Sequence, residues 1–187
     1  MGFKLIDLSQ EIFQGMSIFP MHQRTFIMTN MSHEENMQMT GSPTVGFSAR
    51  NLLISEHCGT HSDGISEFKP GGLTIDNMPL EYFWGSAICL DLSHVRYPNY
   101  IEPRDLENSL RKSGQEIREG DILLLHTGHH ERAYGTEKFQ TDYTGLSYEG
   151  AKWLAERGVV NIGIDAPAID LTPDDIKFSG HMVCAEY

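Results

Sequence analysis

The sequence predicts one mixed α/β domain over residues 1–187, and three observations carry that expectation. Short apolar runs of strand length, Leu52–Ile54, Ala87–Leu92, Ile122–Leu125 and Val159–Ile164, alternate with stretches of helical apolar spacing. A chain of 187 residues with 40% hydrophobic and 21% charged residues can bury a substantial core and is too apolar for disorder. No internal repeat, low-complexity tract or linker divides it.

In chain order, Phe3–Leu8 alternates enough to be a first strand, followed by a turn at Ser9–Ile12 and an extended segment around Phe19-Pro20. His22 follows Pro20 and is placed either facing the site or as an exposed loop histidine, the second being preferred. The Met-rich, polar stretch Met28–Met39, with His33 beside Glu34 and Glu35, reads as a mobile loop or hairpin, in the position of a lid or a dimer contact. Thr44–Arg50 alternates in the strand manner and leads into the apolar, buried strand Leu52–Ile54. Lys69–Gly72 is a turn, and a short helix is expected to begin near Asp76.

Ala87–Leu92 is a strand, and His94 after it is assigned a structural role. Arg104–Ser113 carries Leu106 and Leu110 at i, i+4, with Pro103 placed to start a helix. Ile122–Leu125 has the continuous apolar character of a buried strand. Ser147–Arg157 is the clearest helix: Ser147 is its N-cap, Gly150 leaves it without a capping box, and Gly158 stops it. Val159–Asp165 closes the series as a strand, with Asp165 either orienting a ligand or capping nearby amides.

The formal net charge of −12 excludes a nucleic acid or an anionic membrane as the expected partner, although a bound cation would still admit an anionic small molecule. Cys58, Cys89 and Cys184 are widely spaced and form no Cys-x-x-Cys, which suits a reducing compartment. Neither a charged-then-apolar leader nor a bilayer-length apolar run is read, so a cytoplasmic protein is expected.

The chemistry concentrates in Glu56-His57-Cys58-Gly59-Thr60-His61-Ser62-Asp63-Gly64-Ile65-Ser66-Glu67-Phe68. Two imidazoles and two acids fall between His57 and Glu67, just after a predicted strand, where sites are commonly built. An imidazole pair with a carboxylate suits zinc, manganese or another transition ion. Gly59, Thr60, Ser62 and Gly64 oppose a helix, so an irregular loop is expected to wrap its donors around one point. Cys58 is either a soft ligand or a small packed thiol, the second being preferred. His129, His130 and Glu131 form another donor-rich run, but consecutive loop residues seldom converge on one ion.

The order His57-x-Gly59-Thr60-His61-x-Asp63 resembles the signature of the cyclase-like metal-dependent hydrolases, the family of bacterial kynurenine formamidase and isatin hydrolase. The resemblance extends over nearly the whole chain. Ala166–Asp170 is similar to the family's Gly-x-Asp-x-Pro-Ser segment, and Thr127-Gly128 follows a strand as it does there. What this implies is a swivelling β/β/α architecture, a divalent ion held by His57, His61 and Asp63, and His181 as an imidazole of a second ligand segment. A small-molecule substrate and a homodimer are implied as well.

Ala168 stands in place of the family's serine and His129 where an aromatic is expected, and two further departures bear on the chemistry. Glu67 stands where the motif usually carries a histidine, so it is expected either to carry the proton in catalysis or to ligate the ion. The acid that partners His181 in the family is expected beyond Tyr187, so the domain is read as lacking its closing segment, and Glu186 is not expected to replace it. The expected activity is metal-dependent hydrolysis of a C–N bond in a small amide, formamide or lactam, with zinc and manganese both admissible. The alternative is a catalytically silent metal- or ligand-binding protein of the same fold. A serine or cysteine hydrolase is a third class, for which no Gly-x-Ser-x-Gly elbow is present.

Overall fold

The computed structural model describes residues 4–171 and 175–187, which fall into two compact units, residues 1–62 and 63–187. In the first unit, β1 (Phe26–Met31) pairs antiparallel with β2 (Ala49–Leu53), Phe26 opposite Leu53, with an irregularity between Thr29 and Met31. Between them lies α1 (His33–Thr40). Its start is written in Ser32-x-x-Glu35: the Ser32 hydroxyl accepts from the Glu35 amide, and the Glu35 carboxylate accepts from the Ser32 amide. Gly41 ends it at φ 69°. The Met-rich stretch is therefore strand and helix rather than a mobile loop.

Two further expectations in this unit change. Residues 4–8 form no strand, and Phe3 lies outside the described residues. Asp7 accepts from both the amide and the hydroxyl of Ser9, a local turn that competes with strand pairing. The strand expected over Thr44–Arg50 and Leu52–Ile54 begins only at Ala49, and Leu52 and Leu53 are exposed rather than buried.

The second unit is built on a parallel sheet in the order β3 (Ala87–Asp91), β4 (Ile122–His126), β5 (Asn161–Ile164). One face, Ile88, Leu90, Leu123 and Leu125, is buried in the core with Leu106 of α2 (Pro103–Ser113) and Ala151 and Leu154 of α4 (Tyr148–Ala155). The opposite face carries Ala87, Cys89 and Asp91 of β3 and Ile122, Leu124 and His126 of β4, none of them fully buried. The apolar run of β4 thus serves one buried face, not two.

Helices α2 and α4 start as the sequence indicates. Pro103 opens α2, and Ser147 accepts from the Gly150 amide at the start of α4. A short α3 (His129–Ala133) follows β4, and α5 (Ser179–Glu186) ends the chain described. The helix expected near Asp76 is two separate 3₁₀ turns, Ile75–Asn77 and Leu80–Tyr82. Pro79 between them has no amide to continue the first turn. No helix among the described residues is long and apolar enough to cross a membrane.

Candidate metal centre

His57 and His61 lie in an irregular loop, as their glycines require. Gly59 sits at φ 69°, and a Cβ there would approach Ile12 Cγ1 to 3.2 Å. That turn directs the Gly59 carbonyl at His61 Nδ1, 2.8 Å away. A carbonyl only accepts, so Nδ1 carries the ring proton and Nε2 presents its lone pair. Nε2 lies 3.2 Å from Nδ1 of His57. Two imidazole nitrogens at that spacing either share a proton or share a cation, since bonds of about 2.0–2.1 Å to zinc place tetrahedral ligands about 3.3–3.4 Å apart. Seven consecutive residues carry His57, His61 and Asp63.

His22, expected to be an exposed loop residue, is half-buried beside this pair. Its Nδ1 is 3.0 Å from Ser55 Oγ, and its ring meets His57 edge-on at 4.6 Å between centroids. Cys58 points the other way: it is buried, 3.3 Å from Thr25 Oγ1 and 3.4 Å from Met16 Sδ. It is the packed thiol and not a ligand.

A second donor group belongs to the 63–187 unit: Asp63, Glu67 and His181 place one ligand atom each within 4.8 Å of one another. Glu67 ends a 3₁₀ turn (Ile65–Glu67) held by Ser66 N donating to Leu73 O and Lys69 N donating to Ile65 O, both at 3.0 Å. The next residue, Phe68, stacks on His181 at 4.0 Å. Lys69 Nζ reaches the Ala185 carbonyl, tying this turn to α5.

His181 itself is set by Asp170, which is fully buried. Asp170 Oδ1 accepts from the amides of Gly180, 2.5 Å, and His181, 3.3 Å, in the first turn of α5, while Oδ2 binds His181 Nδ1. Asp175 caps the same helix end through the Ser179 amide. Helix N-terminal amides lack internal partners and carry partial positive charge, so buried carboxylates are favoured there. The pairing puts the His181 proton on Nδ1 and turns its Nε2 lone pair outward, as a carboxylate behind a metal-binding histidine does. Gly145 makes room for this: a Cβ there would lie 2.1 Å from the Asp170 carbonyl carbon.

The His129–His130–Glu131 run does not converge. His129 is buried, with Nε2 donating to the Phe139 carbonyl at 2.8 Å, and burial holds its pKa below the usual histidine value. His130 stacks on Tyr134. Asp165 takes the capping role: its Oδ1 accepts from the Thr127 amide and hydroxyl at 2.7 and 2.6 Å. Glu186 accepts from the Tyr148 hydroxyl at 2.9 Å. The sequence did not show the role of Asp170 or the stacking of Phe68 on His181, and it left His22 facing the site as the less favoured alternative. The only signal for Asp170 was its place beside a proline-containing segment, since its partners lie ten and eleven residues away.

Each donor group suits a divalent cation, because the Gly59 carbonyl takes Nδ1 of His61 and the Asp170 carboxylate takes Nδ1 of His181, leaving Nε2 of each ring as a lone-pair donor. Comparisons with known proteins give the family. A family model described as putative cyclase matches residues 6–171. Kynurenine formamidase of Bacillus cereus is 30% identical over 176 residues, spanning 94% of this chain and 74% of that protein. The Bordetella petrii kynurenine formamidase is 24% identical over 96% of this chain and 77% of its own. Among solved structures, isatin hydrolase A from Labrenzia aggregata superposes with a TM-score of 0.76 at 18% identity, over 94% of this chain and 74% of that one. A protein of Bacillus stearothermophilus described as a predicted metal-dependent hydrolase gives 0.68 at 21% identity, over 97% and 78%. The chain belongs to the cyclase family and has its mixed α/β fold.

Replacing Asp170 by Asn tests how His181 is oriented. The amide keeps the shape but offers N–H₂ where Oδ2 accepted, so the ring proton should move from Nδ1 to Nε2. Ring ¹⁵N shifts of His181 should report the exchanged tautomer; an unchanged pattern would show that Asp170 does not set it.

Proposed function

We propose that this chain is a metal-dependent hydrolase that opens the C–N bond of a small amide, formamide or lactam. The observation that carries the reading is the fixed tautomer of His61, whose Nε2 lone pair faces His57 at 3.2 Å with Asp63 two residues on. The 30% identity to a kynurenine formamidase supports a formamide as the substrate class.

In this proposal His57, His61 and Asp63 hold the ion, and Asp63 and His181 belong to the second donor group with Glu67. When bound, the cation supplies an acidified water, its pKa brought down toward ~7, and polarisation of a carbonyl. Glu67 takes a proton from the water and returns one to the departing nitrogen, the work of a general base and then a general acid. His181, backed by Asp170 and covered by Phe68, orients the acceptor side of the site. A second reading, Glu67 as a ligand, is favoured by its inclusion with Asp63 and His181 in one donor group.

Zinc suits the imidazole-rich donors and manganese the carboxylates, so both belong to the proposal. A cytoplasmic location is supported by the three free thiols. A homodimer is supported by the exposed apolar residues Phe26, Met28, Leu52 and Leu53 of β1 and β2. A small-molecule substrate rather than a nucleic acid follows from the −12 charge. The cysteine-hydrolase class loses its candidate nucleophile, because Cys58 is buried between Met16 and Thr25.

His61→Ala removes one donor from a surface loop, so metal content should fall sharply while the protein stays soluble. Full occupancy by elemental analysis of that variant would remove His61 from the ligand set.

Glu67→Gln keeps size and removes basicity. With Glu67 as the proton carrier, turnover should drop about 10²–10⁴-fold with metal retained. Loss of metal together with rate would move Glu67 into the ligand set, and no change in either would withdraw the catalytic assignment.

A further inference from the structure

The parallel sheet of the second unit aligns three strand ends, and a titratable residue stands on each. Asp91 ends β3 opposite His126, which ends β4. Asp165 follows Ile164, the partner of Leu125, so it stands in line with His126. The carboxyl ends of parallel strands are where sheets of this kind place ligands. Helix α3 then returns Glu131 to the same point. One ligand atom each from His126, Glu131 and Asp165 lies within 4.8 Å of the others, and none of these residues belongs to the site proposed for hydrolysis.

From this arrangement we infer a separate binding site for a divalent transition cation, made by His126, Glu131 and Asp165. His126 Nε2 is 3.4 Å from Glu131 Oε1, and its Nδ1 is 3.9 Å from Asp91 Oδ1. The 3.9 Å gap to Asp91 is too long to hold the ring proton, so in the ion-free chain Nε2–H donates to Glu131, and with that proton on Nδ1 the same two atoms become a pair of lone-pair donors. A cation takes the place of that proton without a change of spacing, because 3.4 Å is close to the ligand separation of a tetrahedral zinc site, about 3.3–3.4 Å for bonds of about 2.0–2.1 Å.

Asp165 gives the independent observation. Its Oδ1 is saturated by the Thr127 amide and hydroxyl, which fix the carboxylate plane. Its Oδ2 is buried and has no hydrogen-bond partner among the described residues. A buried carboxylate oxygen left unmatched is costly and is seldom kept without a ligand to satisfy it. The neighbouring cation, Arg132, directs Nη1 to the Thr127 carbonyl at 2.9 Å. The trio offers two carboxylates and one imidazole, a donor set that suits a divalent transition cation. Half-exposed His126 and exposed Glu131 leave an entry path and open positions for water. The bound ion would join the end of β4, the start of α3 and the end of β5.

Zinc titration of the full chain, followed by calorimetry and by elemental analysis after gel filtration, tests the site. Wild-type protein should bind one zinc equivalent per chain more than Glu131→Gln or His126→Ala does. His61→Ala should retain that equivalent, which separates this site from the one proposed for hydrolysis. The His126 ring ¹⁵N resonance should shift on zinc addition in the wild type and in His61→Ala. Glu131 is exposed, so Glu131→Gln should keep the native circular dichroism and decides the matter if His126→Ala folds poorly. Unchanged zinc stoichiometry and affinity in Glu131→Gln, with no zinc shift at His126, would overturn the site and leave a histidine–carboxylate ion pair only.

Discussion

A single buried carboxylate, Asp170, constrains much of the 63–187 unit. It sits where a helix must begin, a histidine must be turned and a glycine must leave room. The amides of Gly180 and His181 need an acceptor because the first turn of α5 supplies none, and the His181 ring needs one on Nδ1. One side chain answers all three demands. Gly145 follows from the same constraint, since any Cβ there would collide with the Asp170 backbone. So does the buried run Tyr143–Leu146, whose Leu146 amide donates to the Ile169 carbonyl at 2.7 Å.

The same logic appears on the loop of the first unit in a cheaper form. There a backbone carbonyl, Gly59 O, orients His61, and the required turn depends on a glycine at positive φ. In both places the protein fixes which ring nitrogen carries the proton, and leaves the other nitrogen as a lone-pair donor. Fixing the tautomer in advance reduces the cost of ordering when a ligand arrives. Phe68 does similar work for His181 by stacking, which restricts the ring without using its donor nitrogen.

How much of this was legible in the sequence depended on distance along the chain. Helices α2 and α4 were readable because Pro103, Ser147 and Gly158 act within one turn of themselves. Strands β3, β4 and β5 were readable as apolar runs, though the sequence did not show that β4 buries only one face. His57, His61 and Asp63 were readable because they share one loop. Asp170 was not, because its meaning lies in residues that α5 brings back to it. The Met-rich segment was misread although its capping box, Ser32 and Glu35, was present; low hydrophobicity concealed a helix that local hydrogen bonds specify. Residues 4–8 alternate like a strand, yet the Asp7 side chain turns the chain before pairing can occur.

The proposed C–N bond cleavage requires a cation held by this chain's own side chains. Release of aryl amine from an N-formyl aryl amine, measured before and after exhaustive chelation and again after restoring zinc or manganese, tests that claim most directly. Turnover should disappear with the metal and return with zinc or manganese. Turnover that survives complete chelation would contradict that claim.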